Sequence, residues 1–80
     1  MYFVYILKSQ KDQSLYTGLT INIKKRLVEH NSGVSRYTKT KMPWKLVWCS
    51  IFPNQHTAAL FEKYLKTASG IAFMRKRLLR

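Results

Sequence analysis

The chain has 80 residues, of which 46% are hydrophobic, which excludes a disordered basic tail and predicts one folded domain over residues 1–80. Its formal net charge of +12, from 15 lysines and arginines against 3 acidic residues, cannot be neutralised internally and favours a nucleic acid over a membrane surface as partner. A single cysteine excludes an internal disulfide, and no apolar run is long enough for a signal peptide or a membrane span, so we expect a cytoplasmic protein.

The first half of the chain predicts a β-hairpin followed by a helix. Residues 2–8 are β-branched and aromatic, and both faces of this segment are apolar, which indicates a strand inside the sheet. A polar turn leads into a second strand at residues 15–19. Asn22 then caps a helix that runs to Asn31, and Gly33 stops it.

The second half predicts one more strand and two more helices. Residues 33–43 read as a polar basic loop, and residues 45–52 as the third strand. A helix is expected over residues 55–67, with Gly70 breaking it before a last basic helix at residues 71–79. The order β-β-α-β-α-α predicts an α/β fold, in which a three-stranded antiparallel sheet is packed by helices in a single small domain.

The register of the hairpin decides whether its two tyrosines share a face. If the turn places Lys8 opposite Leu15, Tyr5 pairs with Gly18. Tyr5 and Tyr16 then become diagonal neighbours on one face of the sheet, and Gly18 leaves a hollow beside them. A slip of one residue would move Tyr16 to the other face, and ordinary strand packing is the alternative for both tyrosines.

The helix after the hairpin brings basic side chains towards the same region. Ile23 and Leu27 are expected to face the core, and Arg26 lies at the edge of that apolar stripe, one turn before His30. An arginine held there can present its planar guanidinium to a phosphate. The alternatives are a solvated basic face for Arg26 and a helix-end cation, favoured by the helix dipole, for His30.

Carboxylates are scarce, and this limits the chemistry of any site. The acidic residues are Asp12, Glu29 and Glu62. Glu62 has apolar neighbours, so it needs a partner, either Lys66 through an i,i+4 ion pair or a divalent metal. A two-metal site needs several carboxylates, whereas one Mg²⁺ can be held by one carboxylate, waters and a substrate phosphate. The sequence has no zinc-ligand spacing and no glycine-rich nucleotide loop, and Cys49 lies mid-strand as an expected inert thiol.

The loop before the third strand mixes cations, hydroxyls and aromatics. Cations and hydroxyls can contact phosphates, and an aromatic can stack on an unpaired base. Trp44, which follows this loop, is better explained as an anchor to the core, and basic residues near the C-terminus add to the positive field. The residues expected to contact nucleic acid are Gly18, Lys24, Lys25, Arg36, Tyr37, Thr38, Lys39 and Lys41.

These residues together resemble the GIY-YIG nuclease domain family, and specifically its small standalone bacterial group. Val4-Tyr5-Ile6 stands at the first signature triplet of the family, and Tyr16-Thr17-Gly18 stands at the second. The other matching positions are Lys25-Arg26-Leu27, His30-Asn31-Ser32-Gly33, Tyr37-Thr38, Pro43-Trp44 and Glu62. Each triplet alone is a weak signal, whereas the ordered set is specific. The chain is similar to the N-terminal incision domain of the excision-repair nuclease.

The resemblance implies a metal-dependent endonuclease that hydrolyses DNA phosphodiester bonds. It implies low sequence specificity or selectivity for DNA structure, with a role in DNA repair or recombination and DNA favoured over RNA. By position, Tyr5 and Tyr16 would orient or deprotonate the attacking water, and Arg26 would stabilise charge on the scissile phosphate. His30 would assist proton transfer, and Glu62 would bind the one Mg²⁺ or Mn²⁺ ion.

Three departures from the family pattern leave catalytic competence open. Thr17 replaces the usual isoleucine, a modest change if its side chain packs away from the site. Leu19 stands where some catalytic members have lysine, and the asparagine that several members place after the metal-binding glutamate is not evident beyond Glu62. The alternative function is a non-catalytic nucleic-acid-binding module on the same scaffold, with a basic RNA-binding protein as a third choice. In either nuclease or module, a protein partner is a candidate source of specificity.

Overall fold

The computed structural model describes residues 1–79 and contains a three-stranded sheet with helices on both of its faces. In chain order the elements are β1 (Tyr2–Ser9), β2 (Leu15–Thr20), α1 (Ile23–Asn31), α2 (Arg36–Lys39), β3 (Trp44–Phe52), α3 (Gln55–Leu65), α4 (Ala68–Phe73) and a π-helical segment (Met74–Leu78). The α/β class and the three predicted strands are confirmed. No helix within residues 1–79 has the length and apolar character needed to cross a membrane.

β1 is the central strand, since the sheet order is β2-β1-β3 and both neighbours pair with β1 in antiparallel orientation. This position explains why both faces of β1 are apolar. Val4 and Ile6 are buried on one face, and Tyr5 and Leu7 are buried on the other. The prediction that this strand lies inside the sheet is confirmed.

Of the registers considered from the sequence, the hairpin has the one that brings the two tyrosines to the same face. Lys8 pairs with Leu15, and Tyr5 pairs with Gly18. Because side chains alternate along a strand, this register places Tyr5 and Tyr16 on the same face of the sheet. Thr17 then belongs to the opposite face, so the position where it replaces isoleucine lies away from the two tyrosines.

The two faces of the sheet carry separate hydrophobic clusters. α3, α4 and the π-helical segment cover the first face, and the buried residues of the cluster between them are Val4, Ile6, Ala58, Leu65 and Met74. On the second face, Ile23 and Leu27 of α1 pack against Tyr5, Leu7 and Trp44. The predicted inward orientation of Ile23 and Leu27 is therefore confirmed, and α1 lies over the face that holds the tyrosines.

The ends of α1 follow the predicted capping residues. The Asn22 side chain accepts a hydrogen bond from the backbone N–H of Lys25 at 3.1 Å, as an N-cap does. Gly33 follows the helix with a φ of +82°, a conformation that glycine adopts at low cost. Asn31 then joins the helix to β3, because its amide group bonds the backbone N–H of Trp44 at 2.6 Å and the carbonyl of Trp44 at 3.0 Å.

Two details of the sequence-based fold were wrong. The basic loop at residues 33–43 contains a short helix, α2, where no element was expected. Gly70 lies inside α4 and does not break a helix, since α3 ends at Leu65 and Thr67 caps α4 by accepting from the Gly70 N–H at 3.0 Å. A Cβ at Gly70 would overlap the backbone carbonyl of Tyr64, so this glycine allows α3 and α4 to pack closely.

Candidate active site

The centre of the candidate site is a buried hydrogen bond between Tyr5 and His30. The Tyr5 hydroxyl lies 3.0 Å from Nε2 of His30, and Nδ1 of His30 lies 2.8 Å from Oγ1 of Thr38. The Thr38 hydroxyl has the Ser35 carbonyl oxygen as its own acceptor, at 3.5 Å. A proton arrangement that satisfies all three contacts has Nδ1–H of His30 donating to Thr38, with Nε2 accepting the phenolic proton of Tyr5.

Burial sets the protonation states of this pair. Tyr5 is 1% exposed and His30 is 0% exposed. Burial raises the pKa of Tyr5 to about 12, although the adjacent Arg26 guanidinium opposes the increase. Burial and the charge of Arg26 lower the pKa of His30. At neutral pH the phenol keeps its proton and the imidazole is neutral, so Tyr5 acts as a hydrogen-bond donor in this state.

Tyr16 is the more accessible of the two tyrosines. It is half-buried, and its ring meets the His30 ring edge to face with centroids 4.9 Å apart. The ring centroids of Tyr16 and Tyr5 are 6.3 Å apart, as expected for diagonal neighbours on one face. Since Tyr5 is closed to solvent, Tyr16 supplies the phenol that can contact a water molecule or a substrate.

Gly18 provides the space that the Tyr5 ring occupies. A Cβ at Gly18 would overlap the hydroxyl end of the Tyr5 ring. The expected hollow is therefore filled by the phenol of Tyr5 and is not open to a ligand. The prediction that Gly18 contacts nucleic acid is corrected, because this residue is buried beneath Tyr5.

Arg26 lies at the edge of the site, as its position on the helix suggested. Its side chain is partly exposed, and its Nη1 donates to Oε1 of Glu29 at 3.0 Å. The ion pair and the neighbouring Tyr5 hydroxyl raise the pKa of Arg26. Glu29 was not expected to take part in the site, although the i,i+3 spacing to Arg26 is a signal from which this pair can be found.

Glu62 extends from α3, and its charge reaches the same cluster. Its side chain is 21% exposed, and Oε2 accepts from Nζ of Lys66 at 2.8 Å. The carboxylate contributes to the raised pKa of Tyr5, after burial and the electrostatic effect of Tyr16. Of the two partners considered from the sequence, the structure shows the i,i+4 ion pair with Lys66.

Glu62 offers a single carboxylate to a divalent ion. Within residues 1–79, no group of three or more His, Cys, Asp and Glu side chains is arranged to hold a metal. Magnesium commonly keeps several waters and takes one or two carboxylates together with substrate phosphates. One carboxylate whose charge reaches Tyr5 is therefore compatible with a single ion that shares its ligands with water and substrate.

Some of the side chains predicted to contact nucleic acid are exposed, and others are buried or paired within the protein. The predicted contacts that lie exposed on α1 and α2 are Lys24, Lys25, Arg36, Tyr37 and Lys39. Lys41 is partly buried, because its Nζ donates to Oδ2 of Asp12 at 3.0 Å, and this pairing raises the pKa of Lys41. Thr38 is fully buried against His30, so the prediction that it contacts nucleic acid is corrected.

Trp44 anchors the basic loop to the core, as expected, whereas Cys49 is only half-buried. Trp44 is buried, and its Nε1 donates to the carbonyl oxygen of Thr38 at 2.9 Å, which fixes α2 to the core. Cys49 is half-buried on β3, and burial raises the pKa of its thiol. A thiol with a raised pKa is a poor nucleophile at neutral pH.

Comparison with known proteins assigns the family. The model of the GIY-YIG catalytic domain matches residues 1–75. A UPF0213 protein of Clostridium perfringens is 48% identical over 67 residues, which cover 82% of this chain and 71% of that protein. A UPF0213 protein of Staphylococcus haemolyticus is 44% identical over 69 residues, 85% of this chain and 83% of that protein. The solution NMR structure of a UPF0213 protein from Bacillus halodurans superposes with a TM-score of 0.59 at 31% identity, covering 95% of this chain and 84% of that one. The chain therefore belongs to the GIY-YIG family, a family of nucleases, and its relatives are small standalone bacterial proteins of the UPF0213 group.

Proposed function

We propose that this protein is an endonuclease that hydrolyses DNA phosphodiester bonds with the help of one Mg²⁺ or Mn²⁺ ion. The observation that supports this most is the cluster around Tyr5, where two phenols, an imidazole and a guanidinium lie together. The net charge of +12 supports a polyanionic substrate. We further propose low sequence specificity or selectivity for DNA structure, in repair or recombination, with a protein partner as a source of specificity.

The two tyrosines have different roles in this proposal. Tyr16 is the catalytic phenol, because its ring is partly open to solvent and can orient the attacking water. Tyr5 is a positioning residue, since its hydroxyl is closed to water and donates to His30. His30 in turn supports the ring of Tyr16 through their edge-to-face contact, so it acts on the water only through the tyrosines.

Arg26 stabilises the negative charge that develops on the scissile phosphate. A guanidinium presents two parallel N–H donors to phosphate oxygens, and its partly exposed position allows this contact. In the observed state Arg26 donates to Glu29, so a phosphate must share or replace that carboxylate. Glu62 would hold the divalent ion, which would supply positive charge to the reacting phosphate.

Lys66 has to give up Glu62 before the carboxylate can serve as a metal ligand. The 2.8 Å pair has its lysine side chain more than half exposed, at 55%, so water screens the interaction and its loss costs little. The side chain of Lys66 is then free to contact the substrate strand. The ion pair is therefore compatible with a metal-dependent site.

The second candidate function is nucleic-acid binding without cleavage. It is favoured by the pairing of Arg26 with Glu29 and of Glu62 with Lys66, which leaves both groups engaged within the protein. The raised pKa of Tyr5 also keeps that phenol from acting as a base. Under this alternative the scaffold and its positive charge are kept, and turnover is lost.

A cleavage assay separates the two functions. Purified protein is incubated with labelled single-stranded, duplex and branched DNA in Mg²⁺, Mn²⁺ or EDTA, beside Glu62→Gln and Arg26→Ala variants. We expect metal-dependent cutting that both variants lose while they keep DNA binding. The exposed Lys63→Ala variant on α3 is the control and should cut normally. Cutting that survives both site variants would overturn the proposal, and binding without cutting on every substrate would favour the second function.

A further inference from the structure

A cleft runs along the free edge of β2, next to the candidate active site. Because the sheet order is β2-β1-β3, no other strand within residues 1–79 pairs with the outer edge of β2. The cleft has a volume of about 530 Å³, and its lining includes Tyr16, Tyr37, Lys66, Ile71 and Arg75. Pockets for small ligands typically have roughly 300–1,000 Å³, so this cleft has room for one nucleotide.

One wall of the cleft is aromatic and apolar. Tyr37 is 61% exposed, and its ring centroid lies 5.8 Å from that of Tyr16. Ile71 lines the same cleft and is also exposed to solvent. An exposed aromatic ring beside an aliphatic side chain offers a surface on which a flat, unpaired base can stack.

The other contribution to the cleft is positive charge. Lys66 and Arg75 both line it and are both exposed. None of the described residues that line the cleft is acidic. Lys66 also contacts Glu62, so the charged part of the cleft is continuous with the proposed metal ligand. The charge and the stacking surface together match a phosphate and the base attached to it.

We propose that this cleft binds one unpaired nucleotide of the strand that is cut, with its base against Tyr37 and Ile71 and its phosphates at Lys66 and Arg75. Tyr16 lines both the cleft and the Tyr5–His30 cluster, so this nucleotide lies next to the scissile phosphate. A base inside a duplex is stacked on both sides and cannot reach Tyr37. The inference rests on the proposed function for the position of the cut, and it adds an unpaired nucleotide as the preferred substrate feature.

Binding without cleavage tests this inference directly. Fluorescence anisotropy in EDTA measures the affinity for a short single-stranded thymidine oligonucleotide, for an oligonucleotide of the same length made of abasic nucleotides, and for a matched duplex. We expect Tyr37→Ala to weaken binding of the thymidine strand about tenfold, because the variant has no ring on which a base can stack. Binding of the abasic strand should stay unchanged, because that strand has no base to stack. Tyr37→Phe keeps the ring and should bind normally.

Matched cation variants test the charged part of the cleft. Arg75→Ala removes a cation that lines the cleft, whereas Arg77→Ala removes an exposed cation of the same helical segment outside that lining. Arg75→Ala should weaken binding of the thymidine and abasic strands alike, and by more than Arg77→Ala does. Circular dichroism of each variant checks the fold.

Three results would overturn the inference. Equal losses of thymidine and abasic binding in Tyr37→Ala would show that the ring does not contact a base. If Arg75→Ala and Arg77→Ala weaken binding equally, the cations act through the general positive charge of the protein and not through a site. If binding of the duplex also depends on Tyr37, the cleft does not select an unpaired nucleotide. Since these experiments contain no metal and need no cleavage, they can succeed even if the nuclease proposal fails.

Discussion

The hydroxyl of Tyr5 and Nε2 of His30 are joined by a 3.0 Å hydrogen bond that neither water nor substrate can reach. Thr38 holds the other side of the imidazole at 2.8 Å. The three side chains come from β1, α1 and α2, so this short chain of hydrogen bonds connects the central strand with both helices of the candidate site. Its members therefore affect stability first and activity through the position of Tyr16.

The contrast between Tyr5→Phe and Tyr16→Phe tests this division of roles. Tyr5→Phe leaves Nε2 of His30 buried without a partner, which should cost about 1–3 kcal/mol of unfolding free energy. Tyr16→Phe removes a hydroxyl that is partly open to solvent, so the protein should keep its stability and lose its cleavage activity. Urea denaturation and a DNA cleavage assay on both variants make the comparison. Equal losses of stability in the two variants would contradict the assignment.

Gly18→Ala tests whether the glycine is required by the Tyr5 ring. The added Cβ overlaps the hydroxyl end of that ring, so the ring must move out of its buried place. Overpacking of this kind typically costs about 1–3 kcal/mol. We expect a lower denaturation midpoint and a changed NMR signal for the His30 ring, because Tyr5 no longer donates to it. An unchanged midpoint together with an unchanged His30 signal would show that Tyr5 has room to spare.

The hairpin and α1 show what the sequence can predict. Once the register of the hairpin is given, alternation of side chains places Tyr5 and Tyr16 on one face, and local capping residues predicted Asn22 and Gly33 as the limits of α1. These features depend on neighbours along the chain or on one hairpin. Local chemistry is sufficient for them because each is decided within a few residues.

The contact between His30 and Thr38 shows where that reasoning stops. The bond forms only because α2 folds back over the end of α1 and Trp44 fixes it there. Thr38 lies in a segment rich in lysine and tyrosine, a composition typical of a solvated, phosphate-binding loop. The sequence alone therefore predicted that Thr38 lies on the surface. The role of Gly70 was missed for a similar reason, since it depends on the approach of the Tyr64 carbonyl.

Titration of His30 should lower the stability of the protein at acid pH, and titration of Tyr5 should lower it at alkaline pH. His30 has a pKa below its ordinary value of 6.5, so below that pH the unfolded chain binds a proton that the folded protein does not. Stability should therefore fall as the pH decreases through this range. Tyr5 has a pKa raised from 10.0 to about 12, so its contribution is complete below pH 10.0 and is lost as the pH rises towards 12.

Comparison with the variant Tyr5→Phe separates the effect of Tyr5 ionisation on stability from the effect of lysine titration, which both proteins share. A shift of this size corresponds to roughly 2–3 kcal/mol of differential stability. The difference in unfolding free energy between wild type and Tyr5→Phe should accordingly shrink by that order between pH 10.0 and 12. Urea denaturation at a series of pH values gives the difference directly. A difference that stays constant over this range would show that the phenol has no raised pKa.

Lys39 and Lys41 should contribute unequally to DNA binding, although they are only two residues apart. Lys39 is exposed on α2, whereas Nζ of Lys41 is held by Asp12 at 3.0 Å and its side chain is partly buried. A cation already paired within the protein releases fewer counterions from DNA than a free one does. Lys39→Ala should therefore weaken binding and reduce the slope of log K against log salt by about one, while Lys41→Ala should change this slope less. Fluorescence anisotropy with duplex DNA at several salt concentrations measures both slopes. If Lys41→Ala reduces the slope as much as Lys39→Ala does, Asp12 does not hold Lys41 away from the DNA, and the basic loop binds as the sequence alone suggested.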